Sequence, residues 1–285
     1  MNPQTLIREG KLADALAAVQ DQVRKDAANP KHRILLFQLL CVVGQWNRAL
    51  TQLNLVGELD AAALPMVQTY REAIQCEALR ADIFAGRRAP LIFGEPQDWL
   101  GLLVEALRHD AVNPAHASAL RAQAFEGAPA CPGSIDDAPF AWLADADGRL
   151  GPVLEAVVNG RYFWIPFMRI SRIEIDPPSD LRDAVWTAAT FTWTNGAQTV
   201  GLIPTRYPGS SDASDDALKL ARRTEWVGEY PLGQRMFASD AADHPLMDAR
   251  LIEFDVDDAA VNDAAAANDS DSDVGGNAAA ASDHG

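Results

Sequence analysis

Residues Gly10-Lys-Leu-Ala-Asp-Ala-Leu16 return 34 residues later as Gly44-Gln-Trp-Asn-Arg-Ala-Leu50. A glycine-led segment recurring at that period is the mark of a helix–turn–helix unit. Such a unit cannot bury its apolar stripe alone and must stack on a neighbour. The pattern places Gly10 and Gly44 in the turns and Leu12 and Trp46 at the start of each second helix. Ala15 and Ala49 fall where small side chains let two helices approach closely.

The rest of residues 1–130 follows the same period. Leu12, Ala15, Leu16, Val19 and Val23 recur at helical spacing, as do Ile34, Leu35, Leu39, Leu40 and Val43. Ile74, Leu79 and Ile83, then Trp99, Leu102, Leu103, Ala106 and Leu107, continue it. Asn29-Pro30, Leu64-Pro65 and Asn113-Pro114 punctuate the runs, because a residue before proline avoids the helical region. A third, divergent unit runs from Trp99 to Pro129. The pattern departs from a strict tetratricopeptide array at three places. Phe37 stands where a small residue is usual, the first unit has little room for its first helix, and Gly86–Pro96 is an insertion.

Near residue 131 the period changes from helical to alternating. Five of the seven Trp follow it: Trp142, Trp164, Trp186, Trp193 and Trp226. Strands are expected at Phe140–Leu143, Val153–Val158, Tyr162–Ile165, Ile170–Ile175, Val185–Thr194 and Thr199–Pro204. Further strands are expected at 223–228, 235–238 and 249–254, with a helical turn at 217–222. Asp147-Gly148, Asn159-Gly160 and Asn195-Gly196 supply positive φ cheaply and are each expected to close a hairpin. The fold class is therefore α+β. A tetratricopeptide-like helical-hairpin domain (1–130) precedes a mostly antiparallel β-rich domain (131–255). Residues 256–285 carry seven Asp, no Lys or Arg and almost no bulky apolar side chain, and read as a disordered tail.

The formal charge is −16, and −9 without that tail. Binding to phosphate backbones or anionic lipid needs clustered Lys and Arg, so nucleic acid is excluded as a partner class and an anionic membrane surface is disfavoured. The longest apolar stretch, Ile34–Gly44, is about half the length of a bilayer span, so no membrane insertion is expected. The start of the chain lacks the charge-then-apolar order of a signal peptide. Cys41, Cys76 and Cys131 are odd in number and far apart, which fits a reducing cytoplasm.

Chemistry-bearing motifs are sparse. No glycine-rich phosphate cradle, nucleophile elbow or Cys-x-x-Cys pair occurs, so no cofactor, metal or catalytic residue is assigned. Asp145-Ala-Asp147-Gly148 lacks the further ligands of a calcium loop and reads as a turn. His109 and His116, separated by Pro114, read as solvated side chains. One stretch stands apart. Leu202-Ile-Pro-Thr-Arg-Tyr-Pro-Gly-Ser210 places Arg206 and Tyr207 just past a strand, and Arg223, Glu225 and Trp226 follow. Arg and aromatic side chains at strand ends suit a binding surface, which makes Arg206, Tyr207, Arg223 and Trp226 partner-binding candidates. The same residues also suit an internal role, with Arg206 paired to a carboxylate and Tyr207 covering the core. An enzyme site around Arg206, Tyr207 and Glu225 is the alternative from another class.

Several stretches carry a resemblance. They are Phe84–Leu91, Asp145–Pro152, Asn159-Gly-Arg-Tyr-Phe-Trp-Ile-Pro166, Asp176–Asp183 and Leu202–Ser210. Together they resemble the ImpE family, also called SciE-type or TagJ-type accessory proteins of bacterial type VI secretion, from about Leu6 to Phe254. The resemblance implies a non-enzymatic cytoplasmic adaptor. It would bind a helix at the start of the small contractile-sheath subunit and link the sheath to the AAA+ ATPase that dismantles it. A general adaptor with another secretion or regulatory partner is the nearer alternative. Helical hairpins offer a groove for a peptide helix, and a sheet offers edges and loops.

Overall fold

The computed structural model describes residues 2–255. The tail reading falls on residues 256–285, outside them. Helical hairpins come first: α1 (Pro3–Arg8) with α2 (Leu12–Lys25), and α3 (Pro30–Val42) with α4 (Trp46–Leu59). The long α5 (Leu64–Phe84) follows, and then α6 (Asp98–His109) with α7 (Pro114–Gly127). Asn2, Asn29 and Asn113 cap α1, α3 and α7, each accepting a backbone N–H of the first turn, with proline at the first helical position.

The repeat glycines end the first helix of each pair. Gly10 has φ of +71° and Gly44 of +69°. The next residue then closes a six-residue ring, Lys11 N–H to Leu6 O at 2.9 Å and Gln45 N–H to Leu40 O at 2.8 Å. Ala15 and Ala49 are fully buried on α2 and α4. Trp46 opens α4 but meets the sheet, its ring 5.9 Å from that of Trp186.

The large sheet has nine strands. In spatial order they are β1 (Leu91–Ile92), β6 (Arg161–Pro166), β5 (Val153–Val158), β9 (Gln198–Pro204), β8 (Trp186–Trp193), β7 (Ile170–Ile175), β14 (Leu251–Phe254), β2 (Gly133–Ile135) and β3 (Ala138–Phe140). Among the described residues only β1 and β6 pair in parallel; the remaining neighbours are antiparallel, as expected. Asn159 and Gly160 turn β5 into β6 with φ of 49° and 72°, a two-residue hairpin whose twist matches its strands. A second sheet orders β13 (Asp243–Pro245), β12 (Met236–Ser239) and β4 (Leu143–Asp145). A separate ribbon pairs β10 (Thr224–Val227) with β11 (Tyr230–Gly233).

Both faces of the large sheet are covered, and every residue of β5 is buried. Val153, Val157, Tyr162, Trp164, Trp186 and Leu202 pack in one core with the helices. Leu154, Ala156, Ile165, Phe191 and Ile203 pack on the other face with Phe167, Phe237, Ile252 and Phe254. Alternation along β5 thus serves two apolar layers rather than one apolar and one wet side.

Two expectations need correction. Phe140–Leu143 is not one strand: β3 ends at Phe140 and β4 begins at Leu143, with Ala141 and Trp142 crossing between sheets. Asp147-Gly148 does not close a hairpin, because β4 and β5 belong to different sheets. The Asp147 carboxylate instead holds the backbone N–H and side chain of Arg149. His116 is exposed and His109 partly so, and their rings meet edge to face at 4.7 Å across the α6–α7 turn.

Candidate functional site

The polar residues of this fold are turned inward. Glu155 leaves β5 toward the helical layer and is fully buried. It accepts from Arg80 of α5 through Nε and Nη2, both at 2.8 Å, and also from Tyr162 and Arg235. Arg235 reaches Asp145 of β4 as well, and donates Nε–H to Pro204 O at 2.9 Å. Burial alone would push the Glu155 carboxyl up, but Arg80 and Arg235 outweigh it and hold it at about 2. Burial dominates at Asp145, against the pull of Arg235, and raises it to about 6.

Arg206 and Tyr207 belong to this interior. Arg206 is buried, and among the described residues no carboxylate meets its guanidinium, contrary to the expected pairing. Nη1 donates to Val42 O and Lys219 O, each at 2.6 Å, and Nη2 to Cys41 O at 3.2 Å. Those carbonyls end α3 and the short α8 (Asp216–Lys219), where helices leave orphan acceptors and partial negative charge. Burial lowers Arg206 to about 10. Tyr207 donates its hydroxyl to Met236 O at 3.0 Å and accepts from Met236 N–H at 2.9 Å.

A cavity of about 380 Å3 adjoins these residues, lined by Trp46, Glu77, Arg80, Phe84, Arg206 and the 207–212 loop. Its walls are already engaged with protein. Glu77 accepts from Trp186 Nε1 at 3.0 Å, and Arg80 donates to Glu155 and to the Arg206 carbonyl at 2.8 Å. Glu225 does not line it; it pairs with Arg223 on the ribbon at 2.8 Å. The three residues of the enzyme alternative therefore do not converge. Burial pushes the Cys76 and Cys131 thiols up to about 11, away from the thiolate a nucleophile needs. Among the described residues, no cluster of three or more His, Cys, Asp or Glu is arranged to hold a metal ion.

The outward surface is different. Arg223 lies just before β10 and pairs with Asp215 and Glu225. Trp226 is half exposed on β10, with exposed Val227 beside it. Tyr230, across the ribbon turn, lies under the Arg149 guanidinium at 4.3 Å. A second exposed aromatic pair was not legible as a site: Phe125 on α7 and Trp142 before β4, 40% and 41% exposed. They flank an apolar groove of about 450 Å3 that also meets Ala128, Ala144, Ala146 and Ala238. The available signal was an isolated Trp in Ala141-Trp-Leu-Ala144, downstream of the Gly127-Ala-Pro-Ala-Cys-Pro-Gly133 loop. Isolated exposed aromatics are ordinary; these two stand on either side of one apolar groove.

Helical hairpins over one face of a large, mostly antiparallel sheet, ionic groups that answer one another inside, and an apolar groove outside define the class: an α+β scaffold with its polar chemistry turned inward. A family model described as "ImpE protein" matches residues 137–253. The chain is 54% identical over 261 residues to the type VI secretion system accessory component TagJ of Pseudomonas aeruginosa, covering 91% of this chain and 93% of that protein. It belongs to the ImpE family. The X-ray structure of protein VPA1032 from Vibrio parahaemolyticus matches with a TM-score of 0.80 at 24% identity, over 90% of this chain and 99% of that one, and shares the fold.

Proposed function

We propose that this protein is an accessory component of a bacterial type VI secretion system. In this reading it is a non-catalytic cytoplasmic adaptor. It holds a helix of the small contractile-sheath subunit and connects the sheath to its AAA+ disassembly ATPase. The observation that carries the reading is the kinship to TagJ along nearly the whole chain. The physical arrangement supports it. Arg80, Arg206 and Arg235 are committed to internal acceptors, while Phe125, Trp142 and Trp226 face solvent. Exposed aromatic side chains are the residues that carry binding energy at protein interfaces. No described helix is long and apolar enough to cross a membrane.

The test is a pull-down with the cognate small sheath subunit, with and without its first helix. Retention of the intact subunit and loss of the truncated one is expected. Equal recovery of both would remove the helix-binding part. The ATPase link is tested by adding the ATPase to the preformed pair; recruitment only when the adaptor is present is expected.

A further inference from the structure

We propose that the groove between Phe125 and Trp142 receives one amphipathic α-helix of the partner, apolar stripe inward and basic side chains along its flanks. The proposal rests on the adaptor reading above and names the place on this chain where the sheath helix sits.

The shape comes first. Ala144 and Ala238 pair across β4 and β12, and Ala146 N–H bonds Met236 O, so the groove lies on the outer face of the three-stranded sheet. Alternation puts Trp142, Ala144 and Ala146 on that same face. The floor is therefore small and flat, and Trp142 rises at one end. Phe125 stands on bare backbone: a Cβ on Gly151 would come within 2.3 Å of its ring. Small floor residues between two raised aromatics leave room for large side chains at helical spacing.

The edge geometry argues against an extended peptide. β4 has three residues and is paired with β12 on one side. On its other side Asp145 N–H already donates to Gly151 O at 2.7 Å. Strand addition needs a run of free backbone groups, which this edge does not offer. A helix satisfies its own backbone and uses only the face.

The charge gives the partner's flanks. Of the residues lining the groove only Asp145 is charged; the exposed carboxylates next to its two aromatic walls are Glu126 and Asp240. Asp145 and Asp147 are neutralised by Arg235 and Arg149. Asp240 accepts the N–H of Ala141, next to Trp142, and Glu126 follows Phe125. A rim of one sign selects the opposite sign on its occupant.

The experiment measures binding of a labelled synthetic peptide, the first helix of the cognate small sheath subunit, to the full chain by fluorescence anisotropy. Trp142→Ala removes a wall and Ala144→Leu fills the floor. Each should weaken binding by about tenfold or more, as loss of an interface anchor does. Val112→Ala, in the exposed turn between α6 and α7, should bind like the wild type. Circular dichroism and thermal midpoints confirm that each variant folds; Trp142 and Val112 are exposed enough for truncation to leave the core intact. Raising ionic strength should weaken the wild-type complex. Wild-type binding with both groove variants unaffected would overturn the groove while leaving the adaptor reading standing. Salt-independent binding would overturn the basic flanks. A wild type that does not bind the peptide would remove the sheath-helix reading and this occupant together.

Discussion

Glu155→Gln should cost the fold about 3 kcal/mol, a figure that two routes reach. The folded protein holds this carboxyl at about 2 against its ordinary 4.5. That displacement corresponds to roughly 3 kcal/mol of preference for the ionised form. Independently, removing one partner of a buried ion pair costs about 3–5 kcal/mol, because the remaining charge stays desolvated. Gln keeps the volume, but it replaces an acceptor oxygen with an NH2 group turned toward two guanidinium groups. Arg80 would keep Glu77 at 3.5 Å and the Arg206 carbonyl, and Arg235 would keep Asp145. The assay is urea unfolding followed by tryptophan fluorescence, since Trp164 and Trp186 lie in the same core. The midpoint should fall with the slope m unchanged. The pH dependence supplies a second reading. A folded-state pKa below the unfolded value gives stability that is full above pH 4.5 and is lost as pH falls toward about 2. Glu155→Gln should lack that acid-side slope. A loss under about 1 kcal/mol, the size of an average substitution, would refute the reasoning. So would an unchanged slope in the variant.

Asp145 has the opposite sign. Its folded pKa is about 6 against 3.8, so its contribution falls as pH rises through that window, and Asp145→Asn should flatten the stability curve there while lowering it overall. Gly44→Ala and Gly10→Ala meet the same positive φ, about 1–2 kcal/mol each. At Gly44 the new Cβ also lies 2.8 Å from Ser211 Cβ, whereas at Gly10 the nearest atom is 4.0 Å away. Thermal unfolding should therefore rank Gly44→Ala clearly below Gly10→Ala, and equal losses would contradict the packing described. Arg206→Lys cannot span three carbonyls and should destabilise by about 2 kcal/mol while leaving peptide affinity unchanged; a loss of affinity at full stability would return Arg206 to the binding surface.

Much of the fold could be read from local pattern. Val153–Val158 and Ile170–Ile175 match their strands end to end, because apolar β-branched runs bounded by turn residues admit few alternatives. The repeat glycines were legible because a positive φ at a helix end nearly dictates the residue. What was missed depends on distant partners. β1 exists only because β6 lies beside it, and a two-residue strand has no period of its own. Arg206 was legible as unusual but not as internal, since its acceptors at Cys41 and Val42 lie over 160 residues away. Glu155 interrupts an apolar strand, and that lone carboxylate was the available sign of a buried ion network. The groove joins α7 to β4 and β12, and composition does not report such a junction.

The strand order fixes when this molecule can finish folding. β14, the last element of the described chain, lies not at a rim but between β7 and β2. While the polypeptide is being synthesised, β7 waits with an empty side and the β2–β3 hairpin has nothing to hold it. The helices, made first, meanwhile lack the sheet face that covers Tyr70 and Trp46. Folding must therefore conclude after the ribosome has passed Phe254, and pairings so far apart in sequence are slow to form. Cutting before Leu251 would not trim an end; it would divide the large sheet in two.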